Sequence, residues 1–459
     1  MESISSRGSL IAVVKCCNTG GLLRMESRTA LPNRSIWTIL PEDTFRQHLV
    51  QLEERTNAIP MDPQVFDIKD WLASSSSRPT GTYILPLETE QQVTDDFAFL
   101  AAVVEGAQSV AAVCLEEHIQ LPGLTLRFAA LDISLSDDIK TALQVASQIL
   151  VEAARGSSET ASEHIERLFQ HVIKLHFNRL LARLRSSKWE KPKYLSKSHK
   201  KPLWQDFANL LHRIQFLYTK KEKPERQLVE SHLRKLSLVY ENFETSQGEF
   251  SSLMQLVDNS FIFCSERKIQ DFLWRLQTSS KPTPQVAAAI KSIRQIQKIA
   301  AYRRVCISLV QAAQHHSALF QSINIAYLTP YRAVPTSIAY EVWAKTCHVH
   351  AEVQLAVYYD LYQKYRPRCI GTSKWLCYLC YQFLRAHAGF FPCRTHGRLY
   401  DQWTIPDVAE FDEDLSSRYR CIVQAIDDII VQQIDCEPEL WRVEPMTSCV
   451  SGQFEPVEI

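Results

Sequence analysis

From Ser136 to about Ile325 the apolar positions fall at three-and-four spacing in nearly every segment. Ile139–Ala153, His164–Leu184, Phe207–Tyr218, Leu228–Tyr240 and Val286–Ala313 all carry this rhythm of an amphipathic helix. Polar breaks containing Pro192, Pro202, Pro224, Pro282 and Pro284 separate them, as expected of a residue that lacks an N–H and clashes within a helix. No internal repeat is present. Ahead of this region the rhythm differs. Thr94 is placed to cap a helix through Phe97, Leu100, Ala101 and Val104 that ends at Gly106. Ser109–Leu115 is small and β-branched, and Leu124, Leu126 and Phe128 alternate with Thr125 and Arg127. With Pro122-Gly123 between them, the pattern over 93–131 predicts helix, strand, turn, strand.

The two ends read differently again. Residues 1–90 are rich in Ser, Pro, Arg and Thr, with short helical patterns at Glu42–Arg55 and Val65–Ala73. They are expected to form a loosely packed, poorly ordered extension. In 326–406 aromatics, cysteines and histidines crowd together. After Pro406 come Asp407, Glu410, Asp412, Glu413 and Asp414, then a predicted helix around Tyr419–Gln433. The expected organisation is an extension (1–90), a helix and hairpin (91–135), a helical insertion or helical domain (136–330), a compact core (331–406) and an acidic C-terminal segment with a helix (407–459).

Composition changes little in this picture. Lysine plus arginine equals aspartate plus glutamate at 51 each, so net charge points to no acidic partner. The longest apolar stretch, Phe97 to Leu115, is interrupted by Glu105, Gly106, Gln108 and Ser109, which excludes a membrane span there. Leu10–Val14 has only Arg7 ahead of it and Lys15 behind it, a poor secretory signal. Arg7, Lys15, Arg24, Arg28 and Arg34 leave a mitochondrial presequence open. Thirteen cysteines without a repeating spacing argue for a reducing compartment, cytoplasmic or nuclear, and direct attention to close cysteine pairs.

One such pair lies in Cys377-Tyr378-Leu379-Cys380, following His350-Ala351-Glu352. Val353 to Tyr365 is apolar or aromatic on nearly every side, the mark of a buried helix. Pro367 ends it, Arg368–Thr372 reads as a short strand, and Ser373 is placed to cap a helix from Trp375 to about His387. Two parallel helices on one sheet face would bring His350 and both thiols to one ion. A mixed Cys/His set of three with an open fourth position is the ligand choice of catalytic zinc. Thiols in a first helical turn ionise more readily. Zinc lowers the pKa of a bound water from ~15.7 towards ~7, and Glu352 is then the natural proton carrier.

H-A-E followed by C-x-x-C after a helix and a strand resembles the zinc-dependent nucleotide and nucleic-acid deaminase superfamily. More closely, "HVHAEVQLAVYYD", "IGTSKWLCYLC" and "THGRLYDQW" look like the OTT-like deaminases, a toxin-related branch with many fungal members. The resemblance covers roughly 337–406, with an echo over 93–131. It implies an α/β fold, a cytidine-deaminase-like mixed sheet with helices, here interrupted by the large, mainly helical insertion. It also implies His350, Cys377 and Cys380 as zinc ligands, Glu352 as the catalytic proton shuttle, and hydrolytic removal of an amine from cytosine or adenine in a base, nucleoside, nucleotide or nucleic acid. Ser373-Lys374 and His396-Gly397 match recurrent positions of the branch. Leu376 departs from the superfamily, which has proline there.

Other readings stand beside this one. A structural zinc site would need a fourth ligand, for which Cys347, His348, Cys393 and His396 are candidates, and the fold would then be an inactive, zinc-stapled interaction module. The C-x-x-C spacing also matches thiol–disulfide exchange sites, although Tyr378 and Leu379 are bulky for that role. Ser373, Lys374, His396, Tyr400 and Trp403 are candidate substrate contacts, the aromatics as stacking partners for a base. Cys369 reads as core, and the second H-x-E, at His164/Glu166, as surface polarity. Arg183 to Lys201, basic with Trp189 and Tyr194 interleaved, is a candidate single-strand contact or a solvated linker.

Overall fold

The computed structural model describes residues 34–436 apart from 70, 72–82, 105–109, 119, 132–134, 157–158, 191–200, 279–282 and 363–366. The chain is mixed α/β with helix predominating, and its β structure consists of small mixed sheets. The central hairpin pairs Ala111–His118 with Gly123–Ala130, antiparallel, in the register Val113↔Phe128 and Leu115↔Leu126. Ile323–Tyr327 adds in parallel to the second hairpin strand, and Gly371–Thr372 adds antiparallel to the first. Parallel bridges Cys369↔Phe391 and Leu376↔Thr395 carry the pairing on to Arg394–Thr395, which pairs with Gln64–Val65. A separate sheet joins Val334–Pro335, Thr346–Val349 and Trp403–Thr404.

Strand alternation explains why the hairpin is apolar over Ala111–Leu115 and at Leu124, Leu126, Phe128, Ala129 and Ala130. Val113, Leu115, Leu124, Leu126 and Phe128 face one buried cluster, built with the helices between Asp137 and Phe320. Ala112, Cys114 and Ala129 face the other, built around Ala351–Tyr362 and Tyr378–His387. Successive side chains of a strand point to opposite faces, so a hairpin covered on both sides must be apolar on both. Its smaller residues lie under the second cluster, where helices approach closely. The helical stretch leaves the hairpin after Ala130 and returns as Ile323–Tyr327 beside the same strand, so it interrupts the sheet at one edge.

Several expectations are corrected. The first helix spans Leu87–Ala101 after Pro86. Thr94 therefore lies in its middle, its hydroxyl donating back to the Glu90 carbonyl at 2.8 Å, and does not cap it. The pattern His164–Leu184 is two helices, Ala161–Leu175 and Phe177–Leu184, broken at His176. That imidazole is fully buried against Phe99 and lies 3.1 Å from the Leu100 carbonyl. His164 is buried and pairs with Glu159, so this second H-x-E is not surface polarity; Glu166 is held by Arg303.

The extension is not loose where it is described. In the helix Glu42–Thr56 the residues Phe45, Leu49 and Leu52 are buried. They pack against the C-terminal helix Glu413–Asp435, with His48 Nδ1 2.8 Å from Asp427 Oδ1. An apolar stripe at three-and-four spacing needs a partner, and its partner comes from the far end of the chain. Val65 belongs to a strand while Ile68, Lys69 and Trp71 are helical, so the helix expected over Val65–Ala73 starts later than expected; its residues 70, 72 and 73 lie outside the described residues, as do 1–33 and 437–459. Among the described residues no helix is long and apolar enough to cross a membrane.

Candidate metal centre

The strand Thr346–Val349 runs directly into the helix Ala351–Tyr362, with His350 at the junction, its carbonyl accepting from the Gln354 N–H at 3.0 Å. Gln354 is the polar outlier of an otherwise apolar helix. Its amide nitrogen donates to the carbonyls of Ala130 (2.8 Å), Leu131 (3.0 Å) and Val349 (2.8 Å). One buried side chain thus ties the end of the hairpin to the start of the helix. Strand-end carbonyls of this kind need such a partner when buried. Sequence reasoning passed over Gln354, although a lone amide in a buried helix is a visible signal.

The second helix spans Tyr378–His387 and is shorter than expected. Cys377, not Ser373, is its N-cap, and the Cys377 Sγ accepts from the Cys380 N–H at 3.3 Å. Backbone bonds hold this start in place: Leu376 N–H to Arg394 O (3.1 Å), His396 N–H to Leu376 O (3.0 Å) and Tyr378 N–H to Arg398 O (2.9 Å). The first of these shows what leucine permits at the position where the superfamily has proline, since proline has no N–H to donate. Two glycines of the segment are also accounted for. A Cβ on Gly371 would lie 2.2 Å from the Thr94 carbonyl carbon, and Gly397 has φ +72° with a would-be Cβ 2.0 Å from the Met61 carbonyl oxygen.

The two helix starts converge. His350 Nδ1 lies 3.6 Å from Cys377 Sγ and 3.4 Å from Cys380 Sγ, and the three ligand atoms all fall within 4.8 Å of one another. Cys380 Sγ donates to Glu352 Oε2 at 3.5 Å. Both cysteines and Glu352 are buried, and His350 is half-buried. Burial pushes the Cys377 thiol up, but the hydrogen bond from Cys380 and the nearby His350 outweigh it and hold the thiol well below its usual range. Cys380 goes the other way, raised by burial and by its Cys377 neighbour. One negative charge is thus favoured on the pair by the protein alone. A divalent cation would supply the field that ionises both. Burial likewise raises the Glu352 carboxyl, partly opposed by His350, which suits a group that must carry a proton.

The residues fit zinc: two sulfurs and an imidazole nitrogen, the donor set of a three-ligand site. Among the described residues no fourth His, Cys, Asp or Glu joins the group. Cys347 turns away to accept from the buried Arg46 guanidinium, and His348 bonds the Thr346 hydroxyl at 3.1 Å. The Cys393 side chain is half-buried near Asp95 and Arg394. His396 is buried, with Nδ1 accepting from the Arg398 N–H at 3.1 Å. Burial, with Lys374 and Arg398 nearby, pushes the His396 imidazole down to about 4, so it is neutral at pH 7.

The other expected contacts divide. The Ser373 hydroxyl accepts from the Ala111 N–H at 3.2 Å and serves the sheet. Trp403 is fully buried between Phe45 and Phe383, a core position unable to stack on a substrate base. Its indole N–H makes no hydrogen bond of regular geometry, yet its proximity favours the Cys380 thiolate. Tyr400 is partly exposed, with its ring centroid 6.3 Å from that of His350 and 6.0 Å from that of His396. Lys374 is half-buried near His396. Cys369 is core, as expected. In the basic segment, Arg183 packs over Phe99 and Tyr302, Arg185 pairs with Asp206 and Lys188 lies over Phe243, whereas 191–200 lie outside the described residues.

A His/Cys/Cys group at two helix starts, with a buried glutamate beside it, is similar to the arrangement of zinc deaminases. Residues 349–407, which contain His350, Glu352, Cys377 and Cys380, match the OTT_1508-like deaminase family. No curated protein and no solved structure matches the chain.

Proposed function

We propose that this chain is a zinc-dependent hydrolytic deaminase acting on the amino group of cytosine or adenine in a base, nucleoside, nucleotide or nucleic acid. One observation carries the reading. The three ligand atoms of His350, Cys377 and Cys380 converge within 4.8 Å, and the Glu352 carboxyl sits beside them. His350 Nδ1, Cys377 Sγ and Cys380 Sγ would hold the ion. Zinc, when bound, supplies Lewis-acid activation of a water. Glu352 would take a proton from that water at its carboxylate and give it to the ring nitrogen of the base, then take the remaining proton of the added hydroxyl and give it to the leaving amine. Tyr400, next to the His350 ring and open to solvent, is placed to bound the substrate side of the centre. Cys377 and Cys380 are buried, out of reach of bulk solvent.

The sheet order supports a cytidine-deaminase-like domain interrupted by the helical stretch: second hairpin strand, first hairpin strand, the strand after the HAE helix, then the strand after the C-x-x-C helix. The family match over 349–407 supports the chemistry. All ten described cysteines are free thiols, which supports a reducing compartment. The inactive-scaffold reading calls for a closing fourth ligand, and Cys347 and His348, the candidates nearest in sequence to His350, are engaged elsewhere.

The test is metal analysis of the purified full chain together with deamination assays on cytosine- and adenine-containing bases, nucleosides and single strands. About one zinc per chain and ammonia release are expected. Glu352→Gln should keep the zinc and lose ~10²–10⁴-fold in kcat. Undiminished turnover in that variant removes Glu352 from the role, and metal-loaded protein inactive on every substrate favours the scaffold.

A further inference from the structure

The segment that delivers His350 begins as a β-hairpin. Val334–Pro335 pairs with Thr346–Cys347, and the tip between them is pinned by the Tyr340 N–H donating to Asp401 Oδ2 at 2.6 Å. Asp401 follows Tyr400, whose ring neighbours His350. The tip is apolar where solvent is expected. Val342 is 85% exposed, Trp343 72% and Tyr340 44%. Three large apolar side chains in four residues, all exposed, are unlike the scattered exposed apolar residues of an ordinary surface. Cations accompany them: Lys345 on the returning strand is exposed, and Arg398 lies with its guanidinium 5.6 Å from the centre of the Tyr400 ring. Lys374 and Arg398 both act on His396. Glu341 and Asp401 are the acids of the rim, the latter occupied by Tyr340.

We propose that this hairpin tip is a stacking platform for bases flanking the target in a single-stranded nucleic acid, so that the deaminase centre acts on a strand in preference to a free nucleoside. The inference rests on the deaminase reading of the centre. Aromatic faces interleaved with cations are the sequence-tolerant means of holding single strands, bases on rings and phosphates on lysine and arginine. Trp343 is seven residues before His350, at most ~23 Å of extended chain. That limit is within the length of a few nucleotides, so a strand with one base seated at His350 can also reach Trp343.

The experiment measures binding of a fluorescent mixed-sequence 15-nucleotide single strand, DNA and RNA in turn, to the full chain by anisotropy, in parent and Glu352→Gln backgrounds. Trp343→Ala should weaken binding ~5- to 100-fold, and Trp343→Phe should restore most of it. Affinity should fall as salt rises. Zinc content and turnover of a free nucleoside should be unchanged in Trp343→Ala, while KM for the strand rises. Equal affinity of parent and Trp343→Ala overturns the proposal. So does concentration-dependent self-association that Trp343→Ala abolishes, which assigns the tip to a second copy of the chain. A strand held through Trp343 by a protein that deaminates nothing upholds this inference and rejects the deaminase reading. Nucleoside turnover with no Trp343-dependent strand binding does the reverse.

Discussion

Cys380 Sγ lies 3.4 Å from His350 Nδ1 across 30 positions of sequence. A helix, a strand and a cap separate them, and each must end in the right place for the two atoms to meet. Replacing either thiol should therefore cost metal and little else. In Cys377→Ser and Cys380→Ser, zinc affinity should fall at least ~10-fold, whereas Cys347→Ser, whose thiol faces Arg46, should keep its zinc. Competition with a chromogenic chelator reads the difference. Equal loss in all three variants assigns Cys347 to the site.

Gln354 anchors the histidine side of the centre. Gln354→Ala leaves the carbonyls of Ala130 and Val349, both its partners at 2.8 Å, without that donor. A buried group stripped of its partner costs about 1–3 kcal/mol. Urea unfolding should show a loss of that size together with weakened zinc binding. A stable variant that binds zinc normally removes the anchoring role.

Gly397 stands where only glycine fits. Its φ of +72° and the Met61 carbonyl 2.0 Å from a would-be Cβ leave no room for a side chain. Gly397→Ala should destabilise by roughly 2 kcal/mol or more, and Gly156→Ala should cost less, because nothing lies within 4 Å of its Cβ position. Comparing the two denaturation midpoints separates strain from crowding.

Asp95 predicts a pH dependence. Complete burial, opposed by Arg394 and by the Thr372 N–H at 2.8 Å, raises its carboxyl to about 6 from 3.8. The folded protein therefore binds this proton more tightly than the unfolded chain. The resulting stability is full below pH ~4, declines between the two values, and is gone above ~6; a shift of this size corresponds to about 3 kcal/mol. Asp95→Asn should flatten this part of the stability–pH curve. A parent curve that instead rises from pH 4 to 6 by the same amount relative to the variant would mean that Asp95 is held ionised.

Much of the centre was legible in advance because its signals are local. The H-A-E and C-x-x-C spacings, the apolar helix from Val353 and the alternation of Leu124, Leu126 and Phe128 each depend on one segment's own geometry. The errors were of a different kind. Thr94 and Ser373 were expected to cap helices, since hydroxyls at such positions do so often. Pro86, whose side chain makes no capping bond, and Cys377, whose Sγ does, stand at those positions. Trp403 carries the same aromatic signal as Tyr400, but only Tyr400 reaches solvent.

The amino-acid order by itself determined the candidate ligand types, the glutamate close to them in sequence, the helical character of 136–325 and the hairpin ahead of it, because periodicity and donor chemistry are written in neighbouring residues. Tertiary structure alone decided which faces meet. It closed the Glu42–Thr56 helix onto the C-terminal helix and split the hairpin's two faces between two cores. It turned Cys347 towards Arg46 and left Trp343 in solvent. These outcomes follow from burial and from pairing between segments hundreds of residues apart, and no local pattern specifies which distant surface a side chain will find.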